Sequence, residues 1–164
     1  MKKFKKKYIF LNKRRNFSSE IKIRKYKLLG RLDSEVTGTL FFTKEKKNFV
    51  FYKQYFSLVF GNFYKRKKVI SVCNKKISIS IFKRMFFITS ENVSLLKIKI
   101  ITGRKNQIRK QLNFLGFPIV SDRKFGDFFL NSIFYKKKIL LTKRSFTFIC
   151  YNQKMYTVLN KILF

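Results

Sequence analysis

Strict alternation of apolar and polar residues is the pattern that most constrains the fold of this chain. Residues 77–81 read ISISI, and Lys97 and Lys99 alternate with apolar residues within 95–101. A strand points successive side chains to opposite faces, so this period of two predicts strands with one buried and one solvated face. Residues 39–43 and 54–60 are apolar runs next to glycines or charged residues and predict two more strands. These four segments predict a sheet.

The period changes from two to about 3.6 after the fourth of these strands. Ile108, Leu112 and Leu115 fall at positions i, i+4 and i+7, which predicts a helix over residues 105–115 with one apolar face. Gly116 suits the position just after a helix, and the proline two residues later prevents the helix from continuing. A helix with a basic first turn therefore follows a strand and a glycine turn.

The order of these elements predicts an α+β fold. Residues 139–141 and 146–148 predict a late strand, or two partners, and no repeat or linker divides the chain. We expect a single domain with a mainly antiparallel, mixed sheet and few helices over residues 28–164. Residues 1–27 carry basic clusters around one small apolar patch and predict a basic N-terminal arm that orders only partly.

The charge of the chain predicts a polyanionic partner. It has 40 Lys+Arg against 7 Asp+Glu, no histidine, and a formal net charge of +33. Nucleic acid stabilises such a charge through phosphate neutralisation and counterion release. An AT-rich genome would also enrich lysine, but it does not account for the scarcity of aspartate and glutamate. RNA or DNA is the expected partner, and catalysis by histidine is excluded.

Cell location and thiol chemistry are predicted from what the sequence lacks. The apolar run near the N-terminus is too short for a signal peptide, and no uncharged run approaches the length of a membrane span. We expect a soluble cytoplasmic protein, a monomer without membrane contact. Cys73 and Cys150 stand apart from each other and from any CxxC pattern, so they predict ordinary thiols and neither a metal site nor a disulfide framework.

One carboxylate stands out because carboxylates are so rare in this chain. Asp33 lies next but one to Arg31, between Gly30 and Gly38. A positive neighbour in a positive field favours the charged carboxylate, so we expect a lowered pKa for Asp33, which suits a nucleophile. Aspartate also commonly caps a turn or a helix, and position alone favours that structural role.

Four sequence blocks favour a catalytic role for Asp33 over a structural one. They are GRLD with TG (30–33 and 37–38), KQYFSLVFG (53–61), TGRKNQIR (102–109), and GFPIVSD with FG (116–122 and 125–126). In this order the blocks resemble the successive motifs of the RluA-type RNA pseudouridine synthases, over residues 29–148. The chain departs from the family pattern at Gly30, Asn106 and Gln111, where the family usually has histidine, and no S4-type RNA-binding domain is recognised.

The resemblance implies a reaction and a set of residues that perform it. Asp33 is implied as the essential nucleophile, Tyr55 as the residue against the target uracil, and Arg109 as the partner of the catalytic carboxylate. The reaction detaches uracil from ribose C1′ and rejoins it through C5, so neither cofactor nor metal is expected. Whether the aspartate attacks the sugar or promotes a glycal intermediate stays open. Four other basic residues are expected to contact RNA: Arg31, Arg104, Lys105 and Lys110.

The expected substrate is structured RNA. Residues 122–127 look most like those of family members that modify large-subunit ribosomal RNA, so 23S rRNA is the first candidate and tRNA the second. The alternative is a non-catalytic RNA-binding or ribosome-assembly protein derived from such an enzyme, which the same charge would serve. A basic protein at an anionic membrane surface is less favoured, because no long amphipathic helix is evident.

Overall fold

The computed structural model of the protein describes residues 8–44, 50–133, 141–149 and 155–159. The elements in this part of the chain are β1 (Tyr8–Lys13), β2 (Lys27–Leu28), β3 (Thr37–Thr43), β4 (Val50–Phe60), β5 (Arg66–Cys73), β6 (Lys76–Ile88), β7 (Val93–Ile100), α1 (Gln107–Phe114), α2 (Phe128–Ile133), β8 (Leu141–Ile149) and β9 (Met155–Leu159). The strands form one sheet in the order β1-β3-β8-β4-β7-β6-β5, with β2 beside β3 and β9 beside β8.

The sheet is antiparallel except at one pairing, which confirms the predicted α+β class. The parallel pair is β3 with β8, joined at Thr37 and Gly38. All four predicted strands are present, as parts of β3, β4, β6 and β7. Residues 146–148 belong to β8, a single strand that starts at Leu141, and residues 139–140 lie outside the described ranges. The predicted helix is α1, which begins two residues later than expected and ends one residue earlier.

Four strands (β1, β2, β5 and β9) and one helix (α2) in the described ranges are absent from the predictions. The strand β1 lies in the segment predicted as a partly ordered arm, yet it pairs along its whole length with β3. Its apolar run is only four residues long, so the pairing partner decides its structure and the local pattern does not. In β5 three consecutive basic residues obscure the alternation, and α2 is a short helix without buried residues. The division of the chain between residues 27 and 28 stays a prediction.

The core fills the space between the sheet and α1. Ile108 and Leu112 of α1 are buried against the sheet, as their spacing predicts. The largest fully buried side chains are Phe41, Phe42, Phe63, Phe82, Leu40, Leu96, Ile98, Leu112 and Ile119. Gly116 has the positive φ of 78° that ends a helix in the left-handed conformation, as its position after α1 predicts.

A buried glutamine fastens the start of α1 to the sheet. The side-chain nitrogen of Gln107 donates to the Ile79 carbonyl at 3.1 Å and to Ser80 Oγ at 2.8 Å. Its side-chain oxygen accepts from Thr102 Oγ1 and from the Arg104 backbone N–H, each at 3.0 Å. All four bonds meet in one side chain, so the loop between β7 and α1 has a fixed path.

No helix within the described residues is long and apolar enough to cross a membrane. Cys73 is buried with a free thiol, and its sulfur accepts a hydrogen bond from Ser78 Oγ at 3.3 Å. Cys150 lies outside the described ranges.

Replacing the buried glutamine should destabilise the fold. Gln107→Leu leaves polar groups of Ser80 and Arg104 buried without their partner, so we expect the free energy of unfolding to fall by about 3 kcal/mol. Urea unfolding followed by circular dichroism measures this. Asn113→Ala, an exposed change on the same helix, is the control and should cost less than about 1 kcal/mol. Equal losses in the two variants would contradict a fastening role for Gln107.

Candidate active site

A cavity of about 1100 Å³ opens where three segments of the fold meet. Its walls come from the loop before β3, from β4, and from the loop that leads into α1. Asp33, Tyr55 and Arg109, which the sequence assigns to the chemistry, all line it. Residues far apart in sequence are thus brought to one place.

Three of the four basic residues predicted to contact RNA also line this cavity. They are Arg31, Arg104 and Lys105. Lys110 is not part of the lining, and its ammonium donates to Asn74 Oδ1 at 3.0 Å on the exposed surface. Arg31 is exposed and pairs with Glu20 at 3.0 Å, so it is not the electrostatic partner of Asp33.

The loop that carries Asp33 is held by β1 and the segment after it. The ammonium of Lys13, a buried residue of β1, donates to the carbonyls of Ser34 and Val36, each at 2.8 Å. Ser19 Oγ donates to the Leu32 carbonyl at 2.7 Å and accepts from the Leu32 N–H at 3.2 Å. Burial lowers the pKa of Lys13, while the charge of Asp33 acts in the opposite direction. The backbone on both sides of Asp33 is therefore anchored.

Asp33 is a half-buried carboxylate held by one asparagine. The backbone N–H of Asn106 donates to it. With the side-chain amide nitrogen turned toward Asp33, which satisfies both groups, Asn106 also donates to Oδ2 at 2.8 Å and to Oδ1 at 3.2 Å. Asn106 adopts the left-handed conformation, with φ of 56°, immediately before α1. This backbone turn brings two donors of one residue to the same carboxylate.

The predicted direction of the Asp33 pKa is wrong. Burial raises the pKa of Asp33 above its ordinary value, and this effect outweighs the charge of Arg109 and the Asn106 hydrogen bond, which lower it. Glu35, two residues away, raises the pKa further. The net charge of the chain does not decide this local balance, because exposed cations are screened by water and act weakly on a partly buried group.

Arg109 makes its direct ion pairs with carboxylates other than Asp33. Its Nε and Nη2 donate to Asp122 Oδ2 and Oδ1, each at 2.6 Å, and Nη2 also lies 2.5 Å from Glu35 Oε2. The prediction that Arg109 pairs with the catalytic carboxylate is therefore corrected: it acts on Asp33 through its field. Burial alone would lower the pKa of Arg109. The hydrogen bonds and charge of Asp122 raise it, and so do the charges of Glu35 and Asp33.

Asp122 is the most buried of the acidic side chains in the described ranges, with 1% exposed. Besides Arg109, its Oδ1 accepts the backbone N–H groups of Lys124 at 3.0 Å and Phe125 at 3.1 Å. The Phe125 ring then lies 5.0 Å from the guanidinium of Arg109. A Cβ at Gly126 would lie 2.1 Å from the Asp122 carbonyl oxygen, so only glycine allows this turn. The turn fixes Arg109 on two sides.

Tyr55 lies on β4 with only 6% of its surface exposed. Burial raises its pKa strongly, and the charge of Asp33 adds to this, so the hydroxyl stays protonated at neutral pH. Tyr55 pairs across the sheet with Ile98 of β7. It therefore offers the cavity an aromatic side chain with an uncharged hydroxyl, close enough to Asp33 for the Asp33 charge to raise its pKa.

Several residues of the site have no role in the sequence-based predictions. They are Lys13, Glu35, Lys53, Asn106 and Asp122. Asparagine takes the left-handed conformation more readily than most residues, but Asn106 falls inside the helix predicted over residues 105–115, so the local pattern did not single it out. The contact of Lys13 with Val36 and that of Asp122 with Arg109 span 13 residues or more and leave no local pattern. Among the described residues, no three His, Cys, Asp or Glu side chains lie together as metal ligands would.

The chain is similar to known proteins in sequence and in fold. The family model described as RNA pseudouridylate synthase matches residues 2–114, which include Asp33, Tyr55 and Arg109. The chain is 27% identical over 158 residues to the ribosomal large subunit pseudouridine synthase C of Rickettsia felis, covering 80% of this chain and 50% of that protein. It is 27% identical over 125 residues to the Haemophilus influenzae protein of the same name, covering 61% and 39%. The chain thus spans about half the length of these relatives, or less.

A solved structure shows the same fold. Human RNA pseudouridylate synthase domain containing 1 superposes with a TM-score of 0.80 at 16% identity, covering 96% of this chain and 81% of that one. At this identity the likeness establishes the fold, and the family follows from the model that matches more than two thirds of the sequence. The chain belongs to the RNA pseudouridylate synthase family, and within it to the RluA type.

Proposed function

We propose that this protein isomerises uridine to pseudouridine in structured RNA. The observation that carries the proposal is one cavity in which a poorly solvated carboxylate, Asp33, faces the buried Tyr55 and the field of Arg109. The reaction breaks the bond between uracil N1 and ribose C1′ and forms a bond between C5 and C1′. The hydrogen of C5 leaves to solvent, and N1 takes up a proton.

Asp33 is the nucleophile in this proposal. A carboxylate with a raised pKa is more basic than one in water, and a stronger base is the better nucleophile once ionised. Asn106 keeps its two oxygens oriented, and the guanidinium of Arg109, clamped by Asp122 and Glu35, supplies positive charge without occupying Asp33. The carboxylate is therefore held in place and still open to the substrate.

Tyr55 receives the target base. A uracil taken out of its stack needs an apolar or aromatic surface to replace its neighbours, and buried Tyr55 offers one within the cavity. Its protonated hydroxyl can donate a hydrogen bond to the base or pass on a proton during the exchange of N1 for C5. This assigns binding and proton handling to one side chain.

The proposed substrate is large-subunit ribosomal RNA, with tRNA as the second candidate. The relatives from Rickettsia felis and Haemophilus influenzae are both named as ribosomal large subunit synthases, which supports this order. Arg31, Arg104 and Lys105 line the cavity and suit contacts to RNA phosphates. The alternative is a non-catalytic RNA-binding or ribosome-assembly protein. It would be favoured if the wild-type protein bound RNA but did not isomerise uridine.

Turnover should depend on the Asp33 carboxylate. Wild-type protein should release tritium from large-subunit rRNA transcripts labelled at uridine C5, and Asp33→Asn should release none, because the amide is a poor nucleophile. Tritium release gives the rate, and filter binding gives the affinity for RNA, which we expect to change by less than about threefold.

Glu91→Gln, which removes an exposed carboxylate outside the cavity lining, is the matched control and should retain full turnover. Tritium release by Asp33→Asn would refute the nucleophile assignment. Absence of release by the wild-type protein from both rRNA and tRNA transcripts would refute the proposed activity and favour the binding protein.

The fall in rate at acid pH should reflect a pKa above the ordinary value for aspartate. The ionised form of Asp33 is the active one, so kcat/KM falls as pH falls through its folded-state pKa, which burial raises above 3.8. For the same reason, the buried charge of Asp33 lowers the stability of the fold at neutral pH. Stability rises again as Asp33 becomes protonated, when the pH falls through the raised pKa toward 3.8. Tritium release between pH 4 and 8 tests the first effect. A kcat/KM that stays constant down to pH 4 would contradict it.

Removing the hydroxyl of Tyr55 should slow turnover more than it weakens binding. Tyr55→Phe keeps the aromatic face but loses the proton donor, so we expect kcat to fall about 100-fold, with KM within about threefold. Single-turnover tritium release separates the two constants. Tyr64→Phe, at an exposed tyrosine outside the cavity lining, is the control. An unchanged kcat in Tyr55→Phe would exclude a role for the Tyr55 hydroxyl in proton transfer and leave Tyr55 only a role in packing.

A further inference from the structure

Lys53 is a cation of the cavity to which the mechanism above gives no role. It lies on β4 two residues before Tyr55, so both side chains point to the same face of the sheet and both line the cavity. Its cross-strand neighbour on β7 is Ile100, an apolar residue of the same lining. Burial lowers the pKa of Lys53, and no acidic residue opposes this effect. The ammonium is therefore partly desolvated next to the reacting groups.

The contrast with Lys13 shows what Lys53 lacks. The ammonium of Lys13 is also buried, but it donates to the carbonyls of Arg14, Ser34 and Val36. Within the described part of the chain, no carboxylate pairs with Lys53, and no carbonyl or hydroxyl accepts a hydrogen bond from it. A partly buried cation without partners costs stability, so its position calls for an anion that comes from outside the fold.

Glycine at position 103 makes room for this cation. A Cβ at Gly103 would lie 3.2 Å from the Lys53 ammonium nitrogen, closer than side chains normally pack. Gly103 precedes Arg104 and Lys105, which also line the cavity. The loop before α1 thus leaves space for the ammonium where further positive groups converge, and this is an arrangement suited to a phosphate.

We propose that Lys53 binds a backbone phosphate of the substrate RNA inside the cavity. A phosphodiester carries a full negative charge, which compensates a desolvated ammonium far better than a neutral uracil carbonyl does. Two residues along a strand span about 6.6 Å, so Lys53 lies one such step from Tyr55 and reaches the backbone beside a base held there. This role rests on the proposed function, since Tyr55 is placed against the target uracil only by that function.

Salt dependence of binding tests the proposal without any turnover. The probe is a fluorescein-labelled 12-nucleotide oligouridylate, with Kd measured by fluorescence anisotropy from 50 to 300 mM KCl. Losing one phosphate contact to a single strand reduces the slope of log K against log salt by about 0.7, and we expect this of Lys53→Met. Lys53→Arg keeps the charge and should keep the slope. Lys68→Met, on the exposed edge strand β5 and outside the cavity lining, should leave the slope unchanged.

Thermal stability separates binding from a structural role. Lys53→Met removes a desolvated charge, so its Tm should equal or exceed that of the wild-type protein, by up to about 3 °C. An unchanged slope in Lys53→Met, an equal change in Lys68→Met, or a lower Tm for Lys53→Met would each overturn the proposal.

Failure of the proposed function would be recognised separately. If Lys53→Met reduces the slope as expected but the wild-type protein releases no tritium from rRNA or tRNA, the activity is refuted and the phosphate contact stands. If it does release tritium, Lys53→Met should raise KM about tenfold with kcat within about threefold. An unchanged KM would overturn the role of Lys53 and leave the activity intact.

Discussion

The buried ion cluster of Arg109, Asp122 and Glu35 is the interaction on which the rest of the site depends. It joins α1, the loop after α1 and the loop that carries Asp33, through contacts of 2.5 to 2.6 Å. Removing one member of a buried pair leaves the other charge without compensation, at a cost of about 3–5 kcal/mol. The hydrogen bonds of Gln107 and Asn106 then fix the beginning of the same helix. Ion pairs and hydrogen bonds thus hold α1 in place. Asn106, immediately before its first residue, can therefore position Asp33.

This cluster also explains the electrostatics of Asp33. Arg109 shares its charge among two carboxylates that it contacts directly, so its effect on Asp33 is reduced to that of a nearby charge. Burial and the repulsion from Glu35 then prevail and raise the Asp33 pKa. A direct ion pair would have produced the opposite result, a weakly basic carboxylate whose oxygens are already occupied. The two other acids therefore keep the pKa of Asp33 raised by engaging the arginine.

Sequence predicted the parts of the fold that local periodicity determines. Alternation identified β6 and β7, apolar spacing identified α1, and the four blocks identified Asp33, Tyr55 and Arg109, which one cavity brings together. Long-range contacts determine the rest. Pairing with β3 makes β1 a strand, and the partners of Arg109 depend on a turn that only Gly126 permits. No local pattern in the sequence records such contacts.

The scarcity of acidic residues favours the binding of a polyanion such as RNA. Of the 7 Asp and Glu side chains, Glu20, Asp33 and Glu35 line the cavity, and Asp122 contacts the arginine of that lining. Carboxylates are thus concentrated where a guanidinium compensates them, and few remain to repel a phosphate backbone elsewhere. Exposed lysines attract any polyanion, but such attraction does not fix where it binds. Under the proposed function, the position of the RNA comes from the cavity, where a small number of fixed charges lies around a single nucleotide.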